Sequence, residues 1–75
     1  MARPIKVEPR DGYRIWIRYS DGAAGVVDLS HLAGLGVFNA WKNRTFFQSV
    51  HLTTNGAVAW DEDIELCPSA LYMRL

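Results

Sequence analysis

Apolar and charged positions alternate through the first third of the chain, and turn dipeptides cut that alternation into strand-length pieces. Ile5-Lys6-Val7-Glu8 is a short alternating run, and Tyr13-Arg14-Ile15-Trp16-Ile17-Arg18-Tyr19 is a longer and cleaner one. Successive side chains of a strand point to opposite faces. Tyr13, Ile15, Ile17 and Tyr19 therefore share one face, while Arg14, Trp16 and Arg18 share the other. Asp11-Gly12 separates the two runs and Asp21-Gly22 follows the second. Gly accepts positive φ freely and Asp accepts it better than most residues, so both dipeptides read as tight turns. Ala24-Gly25-Val26-Val27-Asp28 then reads as a third strand. Short turns between three consecutive strands predict an antiparallel meander.

From Asp28 onward the period changes. Asp28 or Ser30 is placed to cap a short helical turn through Leu32 and Ala33, which Gly34 and Gly36 break. Phe38-Asn39-Ala40-Trp41 forms a second apolar turn, and Asn43 is placed to cap a third around Thr45-Phe46-Phe47. Ser49–Thr53 and Ala57–Trp60 flank Asn55-Gly56 as a second hairpin. Pro68 suits the first position of a terminal helix covering Ser69 to Met73. The pattern predicts an α+β fold: an antiparallel three-strand meander, short helices, a second β-hairpin and a short C-terminal helix.

Seventy-five residues make one domain, residues 1–75, without room for a second core. A chain this short buries only about 60% of its unfolded surface. Its three Trp, three Tyr and three Phe therefore leave aromatic area near the surface, which a protein partner or a homodimer would cover. Charge is balanced overall but divided along the chain. Residues 1–44 hold seven Lys and Arg (Arg3, Lys6, Arg10, Arg14, Arg18, Lys42, Arg44) against Glu8, Asp11, Asp21 and Asp28. Residues 45–75 hold Arg74 against Asp61, Glu62, Asp63 and Glu65. Either the two halves face each other, within the fold or across a dimer, or the basic half awaits an acidic partner. The zero net charge disfavours general nucleic-acid binding, which rests on excess cations. One cysteine, Cys67, permits no internal disulfide and suits a reducing compartment. No apolar stretch reaches membrane-spanning length, and the first residues lack a signal peptide's apolar core, so the expected location is cytoplasmic.

The order of several segments is similar to the bacterial domain-of-unknown-function family 2442. They are strand–Ser20-Asp21-Gly22–strand–Val27-Asp28-Leu29, then Gly36-Val37-Phe38, then the Phe47-x-x-Val50 step. The ending Trp60…Asp63-Ile64-x-Leu66-x-Pro68-x-x-Leu71-Tyr72 completes the resemblance, which spans roughly residues 5 to 72. The resemblance implies a small α+β domain, free-standing or joined to a DNA-binding helix-turn-helix, and often met beside another short protein. That arrangement implies a regulatory, antitoxin-like role. It brings no activity, cofactor or catalytic residue. Residues for an appended helix-turn-helix are lacking here. Asp61-Glu62-Asp63 stands where the resemblance leads one to expect a turn of one or two residues.

Chemistry-bearing motifs are scarce. Asp61, Glu62, Asp63 and Glu65 lack the alternating spacing and central Gly of a calcium loop, and His31 and His51 stand twenty residues apart without zinc-like neighbours. No nucleophile elbow or phosphate-cradling loop is present, and Ser30-His31 adjacency does not make a dyad. No catalytic residue, metal ligand or cofactor is assigned, and the chain reads as a protein other than an enzyme. Cys67, downstream of four acids, reads as a small, partly buried filler. One constellation stands out: Arg14, Trp16 and Arg18 on a single strand face, residue types that anchor interfaces. They define a protein-interaction or regulatory surface, with nucleic-acid binding by the same face as the alternative. Trp60, Leu71 and Tyr72 are expected to close the core, the terminal helix packing back against Trp60.

Overall fold

The computed structural model describes residues 2–75. Strand β1 (Pro4–Arg10), β2 (Arg14–Tyr19) and β3 (Ala24–Asp28) form the antiparallel meander, with β2 in the middle. The Asp11-Gly12-Tyr13 turn joins β1 to β2 with positive φ at both Gly12 (74°) and Tyr13 (59°), the latter unusual for an aromatic residue. Register then pairs Glu8 with Trp16 and Trp16 with Val26, so alternating residues of all three strands align in rows. Near the start of β1 the register shifts between Pro4 and Lys6, leaving Ile5 as an unpaired, exposed bulge residue.

Beyond β3 the chain makes turns rather than a helix. Asp28 Oδ1 accepts the Ser30 N–H (2.8 Å), and Leu32, Ala33 and Leu35 each bond three residues back. Gly34 at φ 90° supplies the left-handed position within the last of these turns, Leu32 to Leu35. A 3-10 helix follows over Gly36–Lys42 and then α1 over Arg44–Phe47, capped as expected by Asn43, whose Oδ1 accepts the Phe46 N–H (3.2 Å). The second hairpin is present as β4 (His51–Leu52) and β5 (Val58–Ala59), and β6 (Glu65–Leu66) extends it to three strands. Asp61 builds that extra turn. Its Oδ1 accepts the N–H groups of Asp63 and Ile64 (2.9 Å each), and Trp60 N–H reaches Ile64 O (2.9 Å). The acidic stretch is thereby split, with Asp61–Asp63 in the turn and Glu65 in a strand. Pro68 opens α2 (Pro68–Tyr72) at its first turn.

The core lies on the Ile15, Ile17 and Tyr19 face of β2, each at most 1% exposed. Trp41 sits at its centre, fully buried, with ring centroids of Trp60, Phe38 and Phe47 at 4.7, 4.9 and 5.2 Å. Trp60 Nε1 donates to Phe47 O (2.8 Å), linking the residue just after β5 to the end of α1. Of the residues expected to close the core, Trp60 and Leu71 are buried within it. Tyr72 instead lies edge-on against Tyr19 (4.8 Å) and donates its hydroxyl to Asp21 Oδ2 (2.6 Å), 37% exposed. Consecutive residues of a helix point about 100° apart, so α2 cannot turn both Leu71 and Tyr72 inward. Tyr19 completes the tie by donating to Pro68 O (2.6 Å).

Candidate functional site

Because the Ile15/Ile17/Tyr19 face is inside, Arg14, Trp16 and Arg18 project from the opposite, outward face of the meander. Register adds Lys6, Glu8 and Arg10 from β1 and Ala24, Val26 and Asp28 from β3 to the same face. Four cations thus stand on it against two carboxylates. Trp16 is half-buried yet lies outside the core cluster, shielded by its own sheet neighbours. Lys6 Nζ and Arg10 Cζ lie 6.0 and 5.9 Å from its ring, close enough for the aromatic face to attract both.

Glu8 organises the β1 side. It accepts from Arg10 Nη1 (2.9 Å) and pairs with Lys6 Nζ (3.2 Å), and these cations, Arg10 foremost, hold its carboxyl below the ordinary value. Arg14 Nε donates to Asp11 O (2.7 Å), which fixes the guanidinium near the turn. The Arg18 guanidinium makes no hydrogen bond or ion pair with any described residue. The result is a flat surface with one aromatic plate, one unpaired guanidinium and exposed Val26 (49%) beside Trp16. Chemically it can stack, donate hydrogen bonds to carboxylates and bury a small apolar group.

Sequence reasoning finds Arg14, Trp16 and Arg18 but not Lys6, Arg10 or Val26. The alternation of Ile5–Glu8 carries the signal, but its register on β2 depends on a three-residue turn. The β1–β2 turn also forms one wall of an open cleft of about 280 Å³, lined by Tyr13, Trp41, Lys42, Arg44 and Phe47 among others. Asp11 and Arg44 pair at its rim (3.1 Å). Trp41 Nε1 is buried without a hydrogen-bond partner among the described residues.

The remaining polar groups are dispersed. His31 Nε2 meets Arg74 Nη1 (3.2 Å) and His51 Nδ1 meets Ser49 O (3.0 Å), both at the surface. No group of three or more metal-type side chains gathers among the described residues. Cys67 departs from the filler expected of it: it is exposed at the start of α2. There the backbone N–H groups of Ala70 and Ser69 draw its thiol below the ordinary value, outweighing slight burial. No helix among the described residues is long and apolar enough to cross a membrane.

Comparison with known proteins gives one match. A family model described as a protein of unknown function, DUF2442, covers residues 4–75. No curated protein and no solved structure matches the chain.

Proposed function

The chain belongs to the DUF2442 family, which assigns it no activity, and we propose that it is a non-catalytic interaction module whose outward sheet face binds an acidic segment of a partner protein. The observation that supports this most is Trp16, a large aromatic side chain set outside the core and ringed by Lys6, Arg10, Arg14 and Arg18. Trp and Arg anchor interfaces because they offer flat area and directed donors. Glu8 and Asp28 within the same face favour a protein over nucleic acid, since carboxylates would repel a continuous phosphate track. A regulatory, antitoxin-like role fits this chemistry: a small basic face that occupies an acidic surface of a neighbour and thereby holds it inactive.

The test is affinity capture from nuclease-treated lysate of the host, with wild type, Trp16→Ala and Arg14→Glu run in parallel. Circular dichroism checks that each variant is folded. The expected result is a protein held by wild type, released by moderate salt, and lost by both variants. Retention of every captured protein by both folded variants would refute the assignment. Recovery of nucleic acid alone when nuclease is omitted would transfer the face to the nucleic-acid reading.

A further inference from the structure

The two edges of the β1–β2–β3 sheet are unlike. The β1 edge carries Pro4 and Pro9 and a bulge at Ile5, and it packs against β4. These features keep an edge from recruiting another strand. On the β3 edge, Ala24-Gly25-Val26-Val27-Asp28 has no Pro, no Lys or Arg and no bulge. Its hydrogen-bonding parity follows from its ends. Tyr19 N–H donates to Ala23 O (2.7 Å) and Leu29 N–H donates to Tyr13 O (2.8 Å). Bonded pairs alternate with non-bonded ones, so the bonded pairs between them are Ile17 with Gly25 and Ile15 with Val27. The main-chain N–H and C=O groups of Ala24, Val26 and Asp28 therefore point away from β2, and no other described residue engages them.

We infer that this edge pairs with the same edge of a second copy of the chain, antiparallel about a twofold axis at Val26. A twofold interface requires that if one residue meets another, the reverse contact also exists. Centring the strand on Val26 satisfies that requirement. Val26 meets Val26, Ala24 meets Asp28 and Asp28 meets Ala24, the three residues with unused main-chain groups. Up to about six inter-copy hydrogen bonds result.

Side chains agree with the register. On the outward face Trp16 neighbours Val26, so Trp16 and Val26 of both copies join into one apolar row across the seam. In the next row Arg18 neighbours Ala24, and beyond Ala24 stands Asp28 of the second copy. The small Ala24 leaves the unpaired Arg18 guanidinium open toward that carboxylate, and the twofold supplies this complementarity twice. On the inner face Val27 of the second copy stands opposite Gly25. Leu75, 45% exposed, already covers that glycine so closely that a Cβ there would lie 3.1 Å from its Cδ2. An unrelated strand would satisfy the main-chain groups without supplying the aspartate or the paired valines. Pairing leaves Trp16, Lys6, Arg10 and Arg14 facing outward and draws only Arg18 and Val26 from that face into the seam. Mass and amide protection therefore test the dimer separately from partner capture through Trp16 and Arg14.

The test is the molar mass of the full chain by light scattering on a sizing column, for wild type, Val26→Lys and Val26→Asp. Each substitution sets like charges directly opposite one another at the axis, on a side chain already half exposed. Wild type is expected at twice 8.5 kDa, each variant alone at 8.5 kDa, and an equimolar mixture of the two variants again at the doubled mass. Amide hydrogen exchange on wild type provides a reading that needs no variant. Val26 and Asp28 amides should be protected at high protein concentration and exposed on dilution, while Gly25 and Val27 amides stay protected throughout. A wild type that is monomeric at every concentration overturns the inference. So does a dimer in which the Val26 amide exchanges freely.

Discussion

Replacing Tyr19 with Phe should reverse the ranking of two proteins between neutral and alkaline pH. Tyr19 is 1% exposed, and its hydroxyl donates to Pro68 O at 2.6 Å, joining β2 to α2. Phe keeps the ring and its edge contact with Tyr72 but loses that bond, which costs about 1 kcal/mol at pH 7. Burial, helped by the neighbouring Cys67 and Tyr72, pushes the Tyr19 hydroxyl from 10.0 up to about 12. The unfolded chain releases this proton from about pH 10 while the folded chain retains it. The contribution is therefore fully present below pH 10 and is lost as pH rises toward 12. One pH unit of that mismatch is worth about 1.4 kcal/mol, so wild type loses roughly that much by pH 11 and about 2.7 kcal/mol in all. Tyr19→Phe has no such group. Urea unfolding followed by circular dichroism at pH 8, 10, 11 and 12 should show wild type ahead at pH 8 and the curves meeting near pH 11. Parallel curves across that range would refute both the burial argument and the role of the bond.

Three further outcomes follow from local geometry. Asn43→Ala removes the side-chain acceptor for Phe46 N–H and should cost about 1 kcal/mol of stability, read as a lower urea midpoint with unchanged slope. Trp60→Ala empties a site shared with Trp41 and Phe47 and strips Phe47 O of its indole donor; about 3–5 kcal/mol is lost, enough to leave a domain this small largely unfolded by circular dichroism. The Asp21 carboxylate, held below its ordinary 3.8 first by the Tyr72 hydroxyl and then by Ala23 N–H, contributes stability that is present above that value and lost as pH falls below it. Tyr72→Phe should therefore flatten the acid limb of the stability curve. It should also soften the alkaline limb, because Asp21 raises the Tyr72 hydroxyl and that hydroxyl helps raise Tyr19.

The meander is legible because β2 alternates strictly and Gly-containing dipeptides bound it, but the buried face is not. Both faces of β2 offer large side chains, and only the position of Trp41, Phe47 and Trp60 decides that Ile15, Ile17 and Tyr19 go inside. Asn43 and Pro68 announce their helices through local chemistry, and both appear where that chemistry places them. The Glu65–Leu66 strand has no periodic signal over two residues. It exists because Asp61 folds the chain back onto Val58–Ala59, so pairing rather than periodicity creates it. The outward face is half legible for the same reason. Arg14, Trp16 and Arg18 lie on one strand, whereas Lys6, Arg10 and Val26 join them only through register.

The distribution of indoles has an optical consequence. Trp41 and Trp60 have ring centroids 4.7 Å apart, tilted by 48°, inside a buried aromatic cluster, so their transitions couple and their emission is that of shielded chromophores. Trp16 is isolated on the far side of the sheet, half open to solvent. The near-ultraviolet dichroism of the buried pair vanishes only when the core comes apart. The red edge of the fluorescence belongs to Trp16 and moves when something covers the outward face. The domain thus carries separate built-in gauges for folding and for occupancy, and neither needs an added label.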